Sequence, residues 1–207
     1  MHSYKISERG KSLEQAGKAI ILLHGRGASA EDILSLGEEF NDGDCYLAAP
    51  QATNNTWYPY SFLAKEEMNE PWLSSAVDVV KRLIDQTSKY IPAKNIYLMG
   101  FSQGACLTLE VAARHAQEYA GVVAFTGGLI GEAINTKKYH GNFCYTKIFI
   151  GNSDRDPHVP FSRSEESKTI LEQLEAEVTL RVYLGMPHTI IKQELEEVKA
   201  LIFEKKL

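Results

Sequence analysis

Ser102 lies in Gly100-Phe101-Ser102-Gln103-Gly104, between an apolar run at residues 96–99 that reads as a short buried strand and a segment of helical period that includes Leu107 and Val111. A serine on a sharp strand-to-helix turn is presented on strained backbone, and glycines on either side let neighbouring chain approach where a Cβ would block it. The helix start also aims unsatisfied N–H groups at negative charge developing beside the hydroxyl. The plain alternative is a helix N-cap, for which serine is favoured whatever the protein does. Strand, turn and helix in that order favour nucleophilic chemistry at Ser102.

An alcohol is a poor nucleophile near neutral pH, so Ser102 needs a base within hydrogen-bond reach and a third group to orient that base. In open parallel sheets ligands collect beyond the carboxyl ends of the strands, so both partners are expected just after later strands. His188 follows the last apolar run in Leu184-Gly185-Met186-Pro187-His188 and is the candidate base, whereas His2, His115 and His140 read as solvated surface residues. The acid is sought between serine and histidine, in Asp154-Arg155-Asp156-Pro157-His158-Val159-Pro160. Asp156 is preferred because the following proline restricts its backbone; Asp154 is the alternative, with pairing to Arg155 or a turn cap as its ordinary role. A metal site built from Asp154, Asp156 and His158 would match no calcium or zinc spacing. The glycines of His24-Gly25-Arg26-Gly27 allow the Arg26 backbone N–H to turn toward the serine, and the Gln103 N–H is the second donor that an oxyanion requires. His24 itself reads as a brace for its loop.

These groups can meet only if parallel strands carry them to one edge. From residue 19 onward, apolar runs of strand length alternate with helical segments, the sequence form of a parallel sheet with crossover helices. Strands are expected near residues 19–23, 46–49, 96–99, 122–125, 148–150 and 178–184, with residues 4–8 as an antiparallel edge strand and 11–17 as a connecting turn. Helical stripes run through Leu73, Ala76, Val77, Val80, Leu83 and Ile84, and through Ile191, Leu195, Val198 and Ile202. The 207 residues, 44% of them apolar, suffice for one domain spanning 1–207, and no repeat or linker divides them. Residues 51–71 form the main irregular stretch, rich in aromatics, and such loops often carry binding. Trp57, Phe62 and Met186 are the candidate substrate-binding side chains; the competing reading of the aromatic cluster is a staple holding the loop to the surface.

A net charge of −5 with dispersed lysines and arginines offers no field for a phosphate backbone, so nucleic acid is not an expected partner. No apolar run approaches bilayer length and the first residues lack the apolar core of a leader, so stable membrane insertion is not expected and the cytoplasm is. Cys45, Cys106 and Cys144 have no metal or disulfide spacing, which suits reduced thiols. Cys106, one turn beyond Ser102, reads as a small packing residue.

Taken together, Leu22-Leu23-His24-Gly25-Arg26-Gly27, Gly100-Phe101-Ser102-Gln103-Gly104, Asp156-Pro157-His158-Val159-Pro160 and Gly185-Met186-Pro187-His188 resemble the phospholipase/carboxylesterase family of the α/β-hydrolase superfamily, which includes acyl-protein thioesterases and small bacterial carboxylesterases. The resemblance spans nearly the whole chain. It implies an α/β-hydrolase fold with a mostly parallel sheet and no large cap, a Ser102, Asp156 and His188 triad, backbone oxyanion donors at Arg26 and Gln103, and no cofactor or metal. Where many thioesterase-like members carry Gly-Asp after the first loop, this chain has Gly27-Ala28-Ser29-Ala30, and its Asn54-Asn55-Thr56-Trp57-Tyr58 segment looks closer to bacterial esterases. The expected activity is hydrolysis of small-molecule carboxylic esters of small to medium acyl length. The alternatives are a thioesterase or lysophospholipase acting on longer chains and, more distantly, a binding protein without turnover; a homodimer is left open.

Overall fold

Strand residues of alternating orientation divide the core into two buried faces. The computed structural model describes residues 1–204. Its strands β1 (Ile6–Gly10), β2 (Lys18–Leu23), β3 (Cys45–Pro50), β4 (Ile96–Phe101), β5 (Gly121–Phe125), β6 (Lys147–Ser153) and β7 (Glu177–Tyr183) form one sheet in the order β1-β3-β2-β4-β5-β6-β7. Every neighbouring pair is parallel except β1, which runs antiparallel to β3. The helices are α1 (Ala30–Glu38), α2 (Glu66–Asn69), α3 (Trp72–Thr87), α4 (Gln103–Arg114), α5 (Phe161–Gln173) and α6 (Lys192–Val198). Ala19, Ile21 and Leu23 of β2, with Ile96 and Leu98 of β4, join α3, α4 and α5 in one apolar cluster. Ile20, Leu22, Tyr97 and Met99 point the other way, toward α1 and α6. A two-residue period buried on both faces is what a sheet covered by crossover helices requires.

The edge strand is present but begins two residues later than expected, at Ile6. The C-terminal stripe is not one helix: α6 ends at Val198 and a π turn follows over Lys199–Phe203. That wider turn lets adjacent Ile202 and Phe203 both pack inward, Phe203 stacking on Phe40 and Tyr97 at 4.9 and 4.3 Å between ring centres.

α5 has no apolar stripe because Arg163, Ser164 and Ser167, three of its four buried residues, are polar. Arg163 donates to the carbonyls of Leu129, Gly131 and Glu132, Ser164 to that of Gly127, and the Ser167 hydroxyl accepts the Leu129 N–H. The segment between β5 and β6 thereby lies flat on the molecule, and its one helical turn is the short 3-10 turn Thr136–Lys138, so no large cap covers the sheet edge among the described residues. Glu110 on α4, fully buried, fixes the other side of that segment by pairing with Arg114 at 2.8 Å and Lys138 at 2.6 Å and by accepting from Tyr139 Oη and the Ile130 N–H.

Glu194 on α6 is the opposite: a buried acid whose two carboxyl oxygens meet no partner among the described residues. It fills the space over Gly151 of β6, where a Cβ would stand 1.8 Å from its Oε1. Burial pushes its carboxyl from the ordinary 4.5 up to about 8, so the folded state keeps a proton that the unfolded chain releases. Stability from this group is complete below pH 4.5 and is lost as pH rises toward 8. Glu194→Gln is expected to flatten the fall in unfolding free energy between those limits by roughly 2–4 kcal/mol, read from urea denaturation at acid and alkaline pH; an unchanged slope would show that the carboxyl ionises freely.

Candidate active site

The residues singled out in the sequence gather beyond the carboxyl ends of β4, β6 and β7. At the end of β4, Ser102 has φ 54° and ψ −118°, a left-handed backbone that few non-glycine residues adopt. Close packing imposes it: a Cβ on Gly104 would lie 2.1 Å from the Leu23 carbonyl oxygen, and one on Gly100 would lie 2.4 Å from the Gly104 carbonyl. Ser102 does occupy the N-cap position of α4, but its hydroxyl caps nothing. Instead Ser102 Oγ lies 2.8 Å from His188 Nε2, and His188 Nδ1 lies 2.7 Å from Asp156 Oδ2.

Asp156 is held from two directions. Its other oxygen, Oδ1, accepts the backbone N–H groups of His158 and Val159, both at 2.8 Å. Burial alone would raise its carboxyl, yet the His188 ring and these two N–H groups outweigh it and hold the group below the ordinary carboxylate value. Asp154 turns elsewhere, accepting the Gly185 N–H at 2.7 Å and lying 3.5 Å from Arg155 Nε, so it ties down the loop that carries His188. With Asp156 committed to His188 and Asp154 to Gly185, the two carboxylates and His158 do not converge as metal ligands would.

The loop after β2 abuts the serine, the Cβ position of Gly25 being 3.6 Å from Ser102 Cβ. The backbone N–H groups of Arg26 and Gln103 donate to no acceptor among the described residues. His24 is fully buried: Nδ1 lies 2.8 Å from the Gly25 carbonyl and Nε2 accepts the Ala52 N–H at 3.1 Å, which defines a neutral ring with its proton on Nδ1. Burial lowers its pKa in the same sense.

Two side chains whose structural roles the sequence did not reveal shape the aromatic loop. Gln103 accepts the Trp57 N–H at 2.9 Å and donates to the Tyr58 carbonyl at 2.9 Å. The Arg26 guanidinium donates to the carbonyls of Tyr58, Pro59 and Tyr60 at 2.8 to 3.0 Å. Together they fold the loop over a cleft of about 440 Å³ that exposes Ser102 and His188 and is walled by Tyr58, Phe62, Cys106 and Val159. Phe62 thus lines the cleft, but Trp57 and Met186 do not. Trp57 is fully buried, its indole N–H donating to the His24 carbonyl at 2.9 Å, so the ring braces the loop from behind. Met186 packs in the opposite core cluster, under a separate groove beside Pro187 and Ile191. Burial pushes the Cys106 thiol up to about 12, consistent with a packing residue.

His2, expected at the surface, is also part of this support. Its Nδ1 accepts the Thr53 N–H at 3.1 Å, its Nε2 lies 2.8 Å from the Trp57 carbonyl, and its ring packs between Trp57 and Trp72. His140 is exposed and His115 partly buried.

The chain is similar throughout to proteins of known class. Residues 10–204 match the family model described as Phospholipase/Carboxylesterase. A crystal structure of a phospholipase/carboxylesterase from Dyadobacter fermentans is 47% identical with a TM-score of 0.96, covering 98% of each chain. Acyl-protein thioesterase 1 of Candida albicans is 27% identical over 88% of this chain and 90% of its own length. Acyl-protein thioesterase 1 of Saccharomyces cerevisiae is 28% identical over 65% of this chain, a match that spans 60% of the yeast protein.

Gln103→Leu strips the buried Trp57 N–H of its acceptor, and leaving such a donor unpaired costs about 1–3 kcal/mol. The variant is expected to unfold at lower urea concentration by that amount, with a shifted Trp57 emission and a kcat/KM for ester hydrolysis lowered about tenfold or more. Wild-type stability and emission together would mean that the loop does not rest on Gln103.

Proposed function

As a member of the phospholipase/carboxylesterase family this chain is a hydrolase acting on ester bonds, and we propose that it does so through an acyl-enzyme formed on Ser102, with His188 as general base and Asp156 as the group that orients it. The observation that carries this reading is the continuous hydrogen-bonded chain, 2.8 Å from Ser102 Oγ to His188 Nε2 and 2.7 Å from His188 Nδ1 to Asp156 Oδ2. Nδ1 donates to the carboxylate, which leaves the Nε2 lone pair facing the hydroxyl. As Ser102 Oγ bonds to the ester carbonyl carbon, its proton passes to Nε2. Collapse of the tetrahedral intermediate breaks the bond to the leaving oxygen or sulfur, which takes that proton. A water molecule, deprotonated by the same nitrogen, then releases the acid and restores Ser102.

The carbonyl oxygen becomes anionic at each addition. The N–H groups of Arg26 and Gln103 are the donors assigned to it, and Gln103 opens α4, whose dipole adds to the field. Asp156, kept ionised below the ordinary carboxylate value, stabilises the imidazolium without taking its proton.

Substrate size follows from the cleft. Phe62 and Cys106 line it, and Cys106 is one helical turn, about 5.4 Å along the axis, beyond the nucleophile. No large cap extends the wall among the described residues. Small to medium acyl groups are therefore the proposed substrates, with thioesters or lysophospholipids of longer chain as the second reading, favoured by the relatives named acyl-protein thioesterase. The domain assigned to this chemistry spans residues 1–207, of which 205–207 lie outside the described part. Three free cysteines, one of them exposed, support the cytoplasm as its compartment.

Ser102→Ala is expected to lower turnover of a short activated ester by about 10⁴-fold or more, and Asp156→Asn by roughly 10³–10⁴-fold, with circular dichroism unchanged. Across esters from acetate to laurate, kcat/KM should peak among the shorter chains. Turnover by Ser102→Ala at the wild-type rate would remove the nucleophile assignment; a maximum at laurate would favour the second reading.

A further inference from the structure

The chain carries a net charge of −5, yet among the described residues no aspartate or glutamate lines the cleft. Its basic side chains are Arg26, His158 and His188. Asp156, the acid bonded to His188, has no exposed side-chain surface and is turned away behind that ring. Arg26 pairs with no carboxylate among the described residues; its guanidinium is anchored by three neutral backbone carbonyls, which fix its position and leave its charge in place. His158 is exposed, its ring makes no hydrogen bond among the described residues, and it stands nearly perpendicular to His188 with 4.8 Å between ring centres. Its backbone is fixed by the N–H donated to Asp156 Oδ1.

The buried and the exposed walls of the cleft differ in chemistry. Tyr58, Phe62, Cys106 and Val159 belong to the apolar cluster of the core and form a surface for an acyl chain. Arg26, Tyr60 and His158 form the exposed rim. The leaving group must end against His188 Nε2, which protonates it, and the ring packed beside His188 on that rim is His158.

We propose that this rim recognises a carboxylate on the leaving group, so that the preferred substrates are esters or thioesters whose alcohol or thiol part is an anion. His158 offers a ring N–H and Arg26 a fixed positive charge to it, and no wall residue repels it. The inference rests on the serine-hydrolase reading and adds to it the charge of the leaving group.

The test uses three butyryl thioesters, of thioglycolate (anionic), thioglycolamide (its neutral isostere) and thiocholine (cationic), each rate being divided by that compound's alkaline hydrolysis rate. Normalised kcat/KM is expected to be about fivefold to tenfold higher for the anion than for the neutral isostere at low salt, mainly through KM, and lowest for the cation. Half-molar sodium chloride should shrink the difference. His158→Gln should lower the ratio of the anion's normalised kcat/KM to that of the neutral isostere severalfold, and His158→Glu should abolish or reverse the preference. Equal normalised values for anion and neutral isostere, or a preference untouched by His158→Glu, would overturn the proposal while leaving ester hydrolysis intact. Turnover of the neutral thioester that survives Ser102→Ala would instead overturn the serine reading beneath it.

Discussion

The contact between α4 and the end of β2 is the constraint from which the site follows. With Gly104 set so that any side chain would strike the Leu23 carbonyl, the helix sits too close to the sheet for an ordinary turn out of β4. Ser102 absorbs the difference in a left-handed conformation that costs about 1–3 kcal/mol. Two hydrogen bonds hold it there, from its own N–H to the Phe125 carbonyl at 2.9 Å and from the Cys106 N–H to its carbonyl at 3.0 Å. Residues Gln103 to Ala113 of α4 are all buried, so the strain is spread into a helix gripped on every side.

Around that rigid centre the loops are held mainly by polar contacts to backbone. Arg26 and Gln103 fasten the aromatic loop, Arg163 fastens the segment after β5, Asp154 fastens the turn before His188, and Ser29 and Asp32 cap α1 reciprocally just beyond Arg26. Each bond gives a main-chain N–H or carbonyl a partner. The result is a cleft whose walls come from five separate chain segments and whose shape is nevertheless defined.

Much of this was legible in the sequence where one residue type has one physical use. The strands of the two-faced sheet, the serine between glycines, and a histidine and an aspartate after later strands all follow from period and chain order, and the structure brings Ser102, His188 and Asp156 into hydrogen-bond contact. What stayed hidden were contacts made by side chains to distant carbonyls, which leave no periodic trace. α5 buries arginine and serine, so it has no stripe. Trp57 and Met186 looked like cleft walls because large apolar side chains near a site serve equally as wall or core, and only their packing decides. His158 stood in a quoted motif, but its place beside His188 depends on a turn closed by Asp156 Oδ1, which residue types alone do not specify.

The three acceptors that Arg26 uses on Tyr58, Pro59 and Tyr60 are main-chain carbonyls, a group that every amino acid supplies. Exchanging the side chains at these positions therefore leaves the clamp chemically intact. The molecule separates the fastening of its rim from the texture of its rim, and selectivity can drift in one without disturbing the other.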